Sequence, residues 1–255
     1  MQLHQASITF IRYIQYEKWH YQYLKRKEDV QKVKYRNEVK HIISPGDRAA
    51  LCASMRVVAK LDPHAGEKGY YAIRSLYFDN LEDKALREKL NGVNRREKFR
   101  IRYYDGNTSL IHLEKKVKQD GVGYKVTCPL TYEETGRIIR GDILWMASSD
   151  RALVVELYAK MKGQGLRPTV IVDYERIPFV YAPGNVRVTI DYNIRTSAIC
   201  RDFLNPSSVT LPVGNQIILE VKWDDYLPAI IRHAVQLKGR RASAFSKYSA
   251  CRIFG

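Results

Sequence analysis

Charged and apolar residues alternate with a period of two in several short segments of this chain. Glu97-Lys98-Phe99-Arg100-Ile101-Arg102-Tyr103 puts Lys98, Arg100 and Arg102 on one side of a strand and Phe99, Ile101 and Tyr103 on the other. Leu113–Lys118 puts Glu114, Lys116 and Lys118 on one side, and residues 186–192 do the same with Arg187, Thr189 and Asp191. Glu220 and Lys222 oppose Leu219, Val221 and Trp223, while Arg36, Glu38 and Lys40 share a face near residue 38. Together with β-rich runs elsewhere, the pattern predicts eight strands: 35–43, 71–78, 97–104, 110–118, 122–130, 168–176, 186–192 and 216–223.

Helix signals fall between these strands. Ser44-Pro45-Gly46-Asp47 offers an N-cap, a first-turn proline and an acid, so a helix should run to about Val58. Further helices are expected at 83–90, 131–140, 150–162, after Pro228 and around 246–252, and Asp105-Gly106-Asn107 is a hairpin turn. The stretch 202–215 reads as the most mobile loop. Residues 1–34 read as a separate basic N-terminal extension, helical or partly disordered, before a domain at 35–255.

Two arrangements fit these faces. A solvated amphipathic sheet would leave the charges in water. An inside-out barrel would instead wrap its apolar exterior in the amphipathic helices and line its lumen with charge. A wet sheet face normally mixes signs, because like charges across neighbouring strands repel. Rows of mostly Lys and Arg therefore imply a multiply charged anion held between them.

Composition sharpens that implication. Of 255 residues, 45% are apolar, enough for one large domain, and 43 Lys plus Arg face 27 acids for a net charge of +16. Such an excess points to nucleic acid, phosphate polymers, nucleotides or an anionic membrane. Cys52, Cys128, Cys200 and Cys251 are too scattered for a zinc site or a disulfide framework, which favours a reducing compartment. No run approaches a membrane span, and Ile8–Ile14 is too short and interrupted for a signal peptide. His41, His112 and His233 lack metal-ligand spacing and take structural or surface roles. Arg240-Arg241 is either an entrance contact or a solvated pair.

A series of landmarks in fixed order carries a resemblance. These are Glu38-x-Lys40, Ser75-Leu76-Tyr77-Phe78-Asp79-Asn80, Lys98-x-Arg100-x-Arg102 and Leu113-Glu114-Lys115-Lys116, followed by Tyr174-Glu175-Arg176, Val186-Arg187 with Ile190-Asp191, Glu220-Val221-Lys222 and Phe245-Ser246-Lys247-Tyr248. Over about residues 35–250 the chain resembles the VTC (vacuolar transporter chaperone) domain, the polyphosphate polymerase branch of the triphosphate tunnel, or CYTH-like, superfamily. The resemblance implies an α+β fold: an eight-stranded antiparallel β-barrel with a basic lumen and helices packed outside. It also implies transfer of the γ-phosphoryl of ATP to a growing polyphosphate chain, helped by Mn²⁺ or Mg²⁺.

Carried over by position, Lys40, Arg100, Arg102 and Lys116 are the implied catalytic residues. Arg87, Lys98, Lys118, Lys125, Tyr174, Arg176, Arg187, Lys222, Ser246 and Lys247 are the implied substrate contacts, and Glu220, Glu38 and Glu114 the implied metal carboxylates. Glu114 reads equally well as a group that orients a neighbouring cation. The implied partners are ATP, polyphosphate and a membrane protein, with no specific nucleic-acid binding and a cytoplasmic location, membrane-associated only through that partner. Two other functions remain open. A tunnel triphosphatase would open with Glu-x-Glu-x-Lys, but Arg36 occupies the first of these positions; a non-catalytic polyphosphate or nucleotide sensor needs only the binding residues.

Overall fold

The computed structural model describes residues 36–120, 122–236 and 242–254. The extension at 1–34 and the pair Arg240-Arg241 lie outside the described residues. Strand β1 (Asn37–Ile43) leads into α1 (Pro45–Val58), then β2 (Lys60–Leu61), β3 (Tyr71–Asp79), α2 (Lys84–Leu90), β4 (Arg96–Tyr104), β5 (Asn107–Gln119) and β6 (Val122–Leu130). Helices α3 (Tyr132–Ile139) and α4 (Ala152–Gln164) precede β7 (Arg167–Tyr181), β8 (Val186–Ser197), β9 (Leu211–Pro212), β10 (Ile217–Trp223), α5 (Ala229–Val235) and α6 (Lys247–Phe254). The start of α1 is a reciprocal capping box. The Ser44 hydroxyl accepts from the Asp47 N–H at 3.2 Å, and the Asp47 carboxylate accepts from the Ser44 N–H at 2.8 Å.

All eight expected strands are present, each pairing antiparallel with its neighbours in the order β1-β10-β8-β7-β3-β4-β5-β6. The short β2 and β9 add to β7 and β8. The sheet curls into a half-barrel. Among the described residues no backbone ladder joins the end strands β1 and β6; side chains bridge that seam. Strands β4 and β5 meet in a two-residue turn, with Asp105 at φ 49° and Gly106 at φ 70°, the positive pair that matches sheet twist. Strand β7 runs five residues past Arg176, the end expected from the sequence, and passes through Pro178. The Pro178 carbonyl still accepts from the Asp62 N–H at 3.0 Å, and β8 lengthens to match.

Two apolar layers cover the outer face. Leu76, Phe99, Ile101 and Leu113 pack under Ile138 of α3 and Val154 and Leu157 of α4. Val188, Ile190, Leu219 and Val221 pack under Leu51 and Met55 of α1 and Ile231 of α5. A third cluster seats Tyr248 and Cys251 of α6 among Tyr77, Val172 and Tyr174. The stretch 202–215 is anchored, contrary to the expectation of a mobile loop. Phe203 and Val213 are buried, Arg74 donates to the Asn205 carbonyl and to Ser208 Oγ, and Arg195 holds Thr210. No helix among the described residues is long and apolar enough to cross a membrane.

Asp79 links several of these elements. Its buried carboxylate accepts from the N–H groups of Asn80, Ala85 and Leu86, at 2.9, 2.9 and 3.1 Å, and from the Tyr248 hydroxyl. It therefore caps α2 and ties α6 to β3. Asp79→Ala is expected to lower stability by about 3 kcal/mol in a denaturant titration, because it strands several donors at once.

Candidate functional site

Register turns the alternation in the sequence into geometry, because directly paired residues of neighbouring strands share a face. Lys40 lies opposite Glu220, Glu220 opposite Thr189, Lys222 opposite Arg187, and Arg176 opposite Asp191. On the other half of the sheet Ser75 lies opposite Arg102, Tyr77 opposite Arg100, Arg100 opposite Glu114, and Lys116 opposite both Lys98 and Lys125. Contacts between non-adjacent strands show that this face is concave. Lys116 of β5 reaches Glu38 of β1 at 3.2 Å, and Arg102 of β4 donates to the Tyr174 hydroxyl of β7 at 3.1 Å. The cations converge on a shared cage.

Buried carboxylates organise the cage. Lys40 pairs with Glu38 at 2.8 Å and Glu220 at 3.3 Å, and Lys222 pairs with the same two acids. Arg176 grips Asp191 through two nitrogens at 2.6 and 2.8 Å, and Lys247 reaches the same carboxylate at 2.5 Å. Glu114 holds Arg100 at 2.6 Å and Lys125 at 2.7 Å. Arg187 pairs with Asp62 at 2.9 Å and donates to the Tyr71 hydroxyl at 2.7 Å. Relative exposures of 3% for Glu114, 0% for Asp191 and 5% for Glu220 make these pairs costly to break, about 3–5 kcal/mol when one partner is removed.

The electrostatics follow from this crowding. Burial favours protonation of Glu38, as does neighbouring Glu220, but the Lys116, Lys40 and Lys222 ammoniums outweigh both and bring its pKa to about 2. Asp191 reaches about 2 because Arg176 and Lys247 overcome burial, and Arg100, Arg102 and Lys125 hold Glu114 well below the usual carboxylate range against the same opposition. Lys98 is pushed down to about 8, first by burial and then by Lys116, Lys40 and Arg100. Tyr77 falls to about 7, because Arg100, Arg102 and Lys98 overcome burial.

Tyrosine hydroxyls and rings add to these ion pairs. Arg100 donates to the Tyr77 hydroxyl at 2.9 Å and lies over its ring, while Lys98 sits 5.3 Å above the Tyr248 ring. Tyr174 carries Arg102, Arg176 and Lys247 around one ring.

Most of the sequence-derived site residues meet in this cage: Lys40, Lys98, Arg100, Arg102, Lys116, Lys118, Lys125, Tyr174, Arg176, Arg187, Lys222, Lys247, Glu38, Glu220 and Glu114. Two placements differ from the sequence expectation. Arg87 is an exposed residue of α2 with no ion pair to the cage. Ser246 accepts from the Ser249 N–H at 3.3 Å, the geometry of a helix cap. Of the two roles open to Glu114, the structure shows the cation-orienting one: it pairs with Arg100 and Lys125 and does not join Glu38 and Glu220, and among the described residues no three His, Cys, Asp or Glu converge to hold a metal. Arg36 turns to Asp224 at 2.9 Å and the Asn185 carbonyl, so no acid replaces it on β1.

Ser75, Tyr77, Asp62, Tyr71 and Tyr248 are the cage partners that the sequence reading left unassigned. A signal existed for two of them. In Ser75-Leu76-Tyr77-Phe78 the alternation places Ser75 and Tyr77 on the polar side, where Ser75 Oγ accepts from Arg102 at 2.9 Å.

This curled antiparallel sheet, apolar outside and cationic within, defines a tunnel-type phosphate-handling fold. A model of the VTC domain matches residues 35–253, and the chain belongs to that family. Solved structures give weaker likenesses. The PH1012 protein from Pyrococcus horikoshii is 13% identical, with 83% of this chain and 96% of that one covered and a TM-score of 0.46. A Bacillus halodurans protein named as a candidate adenylate cyclase is also 13% identical, with 79% and 84% covered and a TM-score of 0.44. No curated protein matches the sequence.

A pH dependence follows from Lys98 and Tyr77. Rising pH removes a positive charge from Lys98 near 8 and adds a negative one to Tyr77 near 7, and both changes oppose an anion. Tripolyphosphate itself gains charge over this range, so the reference is the Lys98→Met, Tyr77→Phe variant titrated with the same ligand: the ratio of the unmodified chain's calorimetric affinity to that variant's should fall between about pH 6 and about pH 9. A ratio that holds level or rises with pH would contradict this account.

Proposed function

We propose that this chain is a polyphosphate polymerase, transferring the γ-phosphoryl of ATP to the end of a phosphate chain and releasing ADP. The observation that carries the reading is the convergence of Lys and Arg from β1, β4, β5, β6, β7, β8, β10 and α6 on one concave face. Phosphoryl transfer asks chiefly for alignment and charge neutralisation, and needs no side-chain nucleophile. Arg100, Arg102 and Lys116 bind the transferring phosphates. Arg102 is fixed by Ser75 and Tyr174, so its guanidinium is preorganised and little reorientation is required as charge shifts. Arg176, Arg187 and Lys247 bind the polymer beside them.

The donor set fits a hard divalent cation. Glu38 and Glu220 are ionised oxygen donors close enough to repel each other, and phosphate oxygens would supply the remaining ligands. Mn²⁺ or Mg²⁺ held there would neutralise phosphate charge. Lys40 and Lys222 keep both carboxylates deprotonated and ready for it.

A second reading, a non-catalytic polyphosphate sensor, draws on the fact that each of these carboxylates already carries a lysine partner, so an anion can bind without metal. One assay separates the two. Purified chain with ATP and Mn²⁺, with and without a short primer, should yield polymer and one ADP for each phosphate unit added. Polyphosphate binding with no polymer under any condition would leave the sensor. Arg100→Ala should slow polymer formation by at least about 100-fold. Arg137→Ala, on the solvent side of α3, should stay within about twofold, since a surface pair contributes little.

A further inference from the structure

The cage changes character along β4 and β5. At Arg102 and Arg100 the guanidiniums are buried or half-buried and share the Glu114 carboxylate. One row outward, Lys98 lies opposite Lys116, which in turn lies opposite Lys125. At the next row Arg96 lies opposite Lys118, where the side chains reach solvent. Like charges directly opposite one another on adjacent strands are destabilising. Helix α2 packs beside this end of β4 and adds Lys89, whose ammonium feels Arg96, Lys40 and Lys118.

Counter-charges thin out in the same direction. Lys125 is paired with Glu114, and Lys116 must share Glu38 with Lys40 and Lys222. Among the described residues Lys89, Arg96, Lys98 and Lys118 form no ion pair, and Arg96 donates only to the Val93 carbonyl. Burial and mutual repulsion push Lys89, Lys98, Lys116 and Lys118 all below the ordinary lysine value, with Glu38 the chief acid opposing this at Lys116 and Lys118.

Inner cations thus have acids that an incoming phosphate must displace, whereas outer cations repel one another until an anion arrives. We propose that Lys89, Arg96 and Lys118 form a holding site for the finished part of a phosphate polymer, so that affinity rises with chain length and the product leaves past α2. The inner rows bind a terminal triphosphate of any length. The outer site engages only a chain long enough to run from Arg100 to the Arg96–Lys118 row. The inference rests on the polyphosphate reading, assigns polymer retention to residues outside the reacting rows, and gives the product a direction of exit.

Binding measurements on the full chain test it without any need for turnover. Tripolyphosphate and a polyphosphate of about 25 units are titrated calorimetrically into the unmodified protein and into the double variant Lys89→Gln, Arg96→Gln. The double variant should bind tripolyphosphate within about twofold of the unmodified protein and the long chain at least about fivefold more weakly, with a shallower salt dependence, as expected for two lost contacts to a polyelectrolyte. Equal weakening for both ligands, or an unchanged long-chain affinity, overturns the holding site and leaves the polymerase reading intact. If the unmodified protein binds neither ligand, the polyphosphate reading fails and the holding site fails with it. Lys89→Gln alone, a change of one α2 side chain, guards against misfolding of the double variant and should show a smaller loss confined to the long chain; a loss shared by both ligands counts against the proposal.

Discussion

The structure depends on holding many positive charges close together out of bulk water. An isolated buried ammonium or guanidinium would be prohibitively costly, so each inner-row cation is matched to a carboxylate, an aromatic ring or both. Asp191 bridges Arg176 and Lys247, Glu220 bridges Lys40 and Lys222, and Glu114 bridges Arg100 and Lys125. Tyr174 lies beneath three of these cations and accepts a hydrogen bond from Arg102. The acids therefore serve first to make the cage foldable, and only then to tune what it binds.

That requirement dictates the sheet. Charge on one face forces the apolar residues of the same strands outward, and only helices with apolar stripes can cover them. Leu76 and Phe78 reach the core under α3 and α4, while Ser75 and Tyr77 on the same strand reach the cage. Phe99 and Ile101 divide from Arg100 and Arg102 in the same way. A slip of one residue in any of these strands would bury guanidinium under helix and expose leucine to the lumen, so register and function are fixed by the same alternation.

Much of this was legible in the sequence because alternation is a local property. The eight strands, the capping box at Ser44 and the polar faces of β4 and β5 all follow from neighbours in the chain. What was hidden depends on distant contacts. Ser246 has the residue type of a phosphate contact, yet its position at the start of α6 gives its oxygen a backbone partner. Glu114 had two roles open to it by type, metal ligand or partner of a cation, and the register of β4, β5 and β6, which puts Arg100 and Lys125 beside it, gives the second. The stretch 202–215 has the composition of a loose loop, and only Arg74 and Arg195, far away in sequence, hold it down. Strand β7 continues through Pro178 because β2 and β8 flank it there.

The seam between the two ends of the sheet has a mechanical consequence. Where a complete barrel is locked by a continuous ladder of amide hydrogen bonds, here β1 is linked across the gap to β5, the strand next to the end strand β6, by Lys116 reaching Glu38, a contact that solvent and counterions weaken. Such a closure weakens with ionic strength in a way that a ladder of amide hydrogen bonds does not.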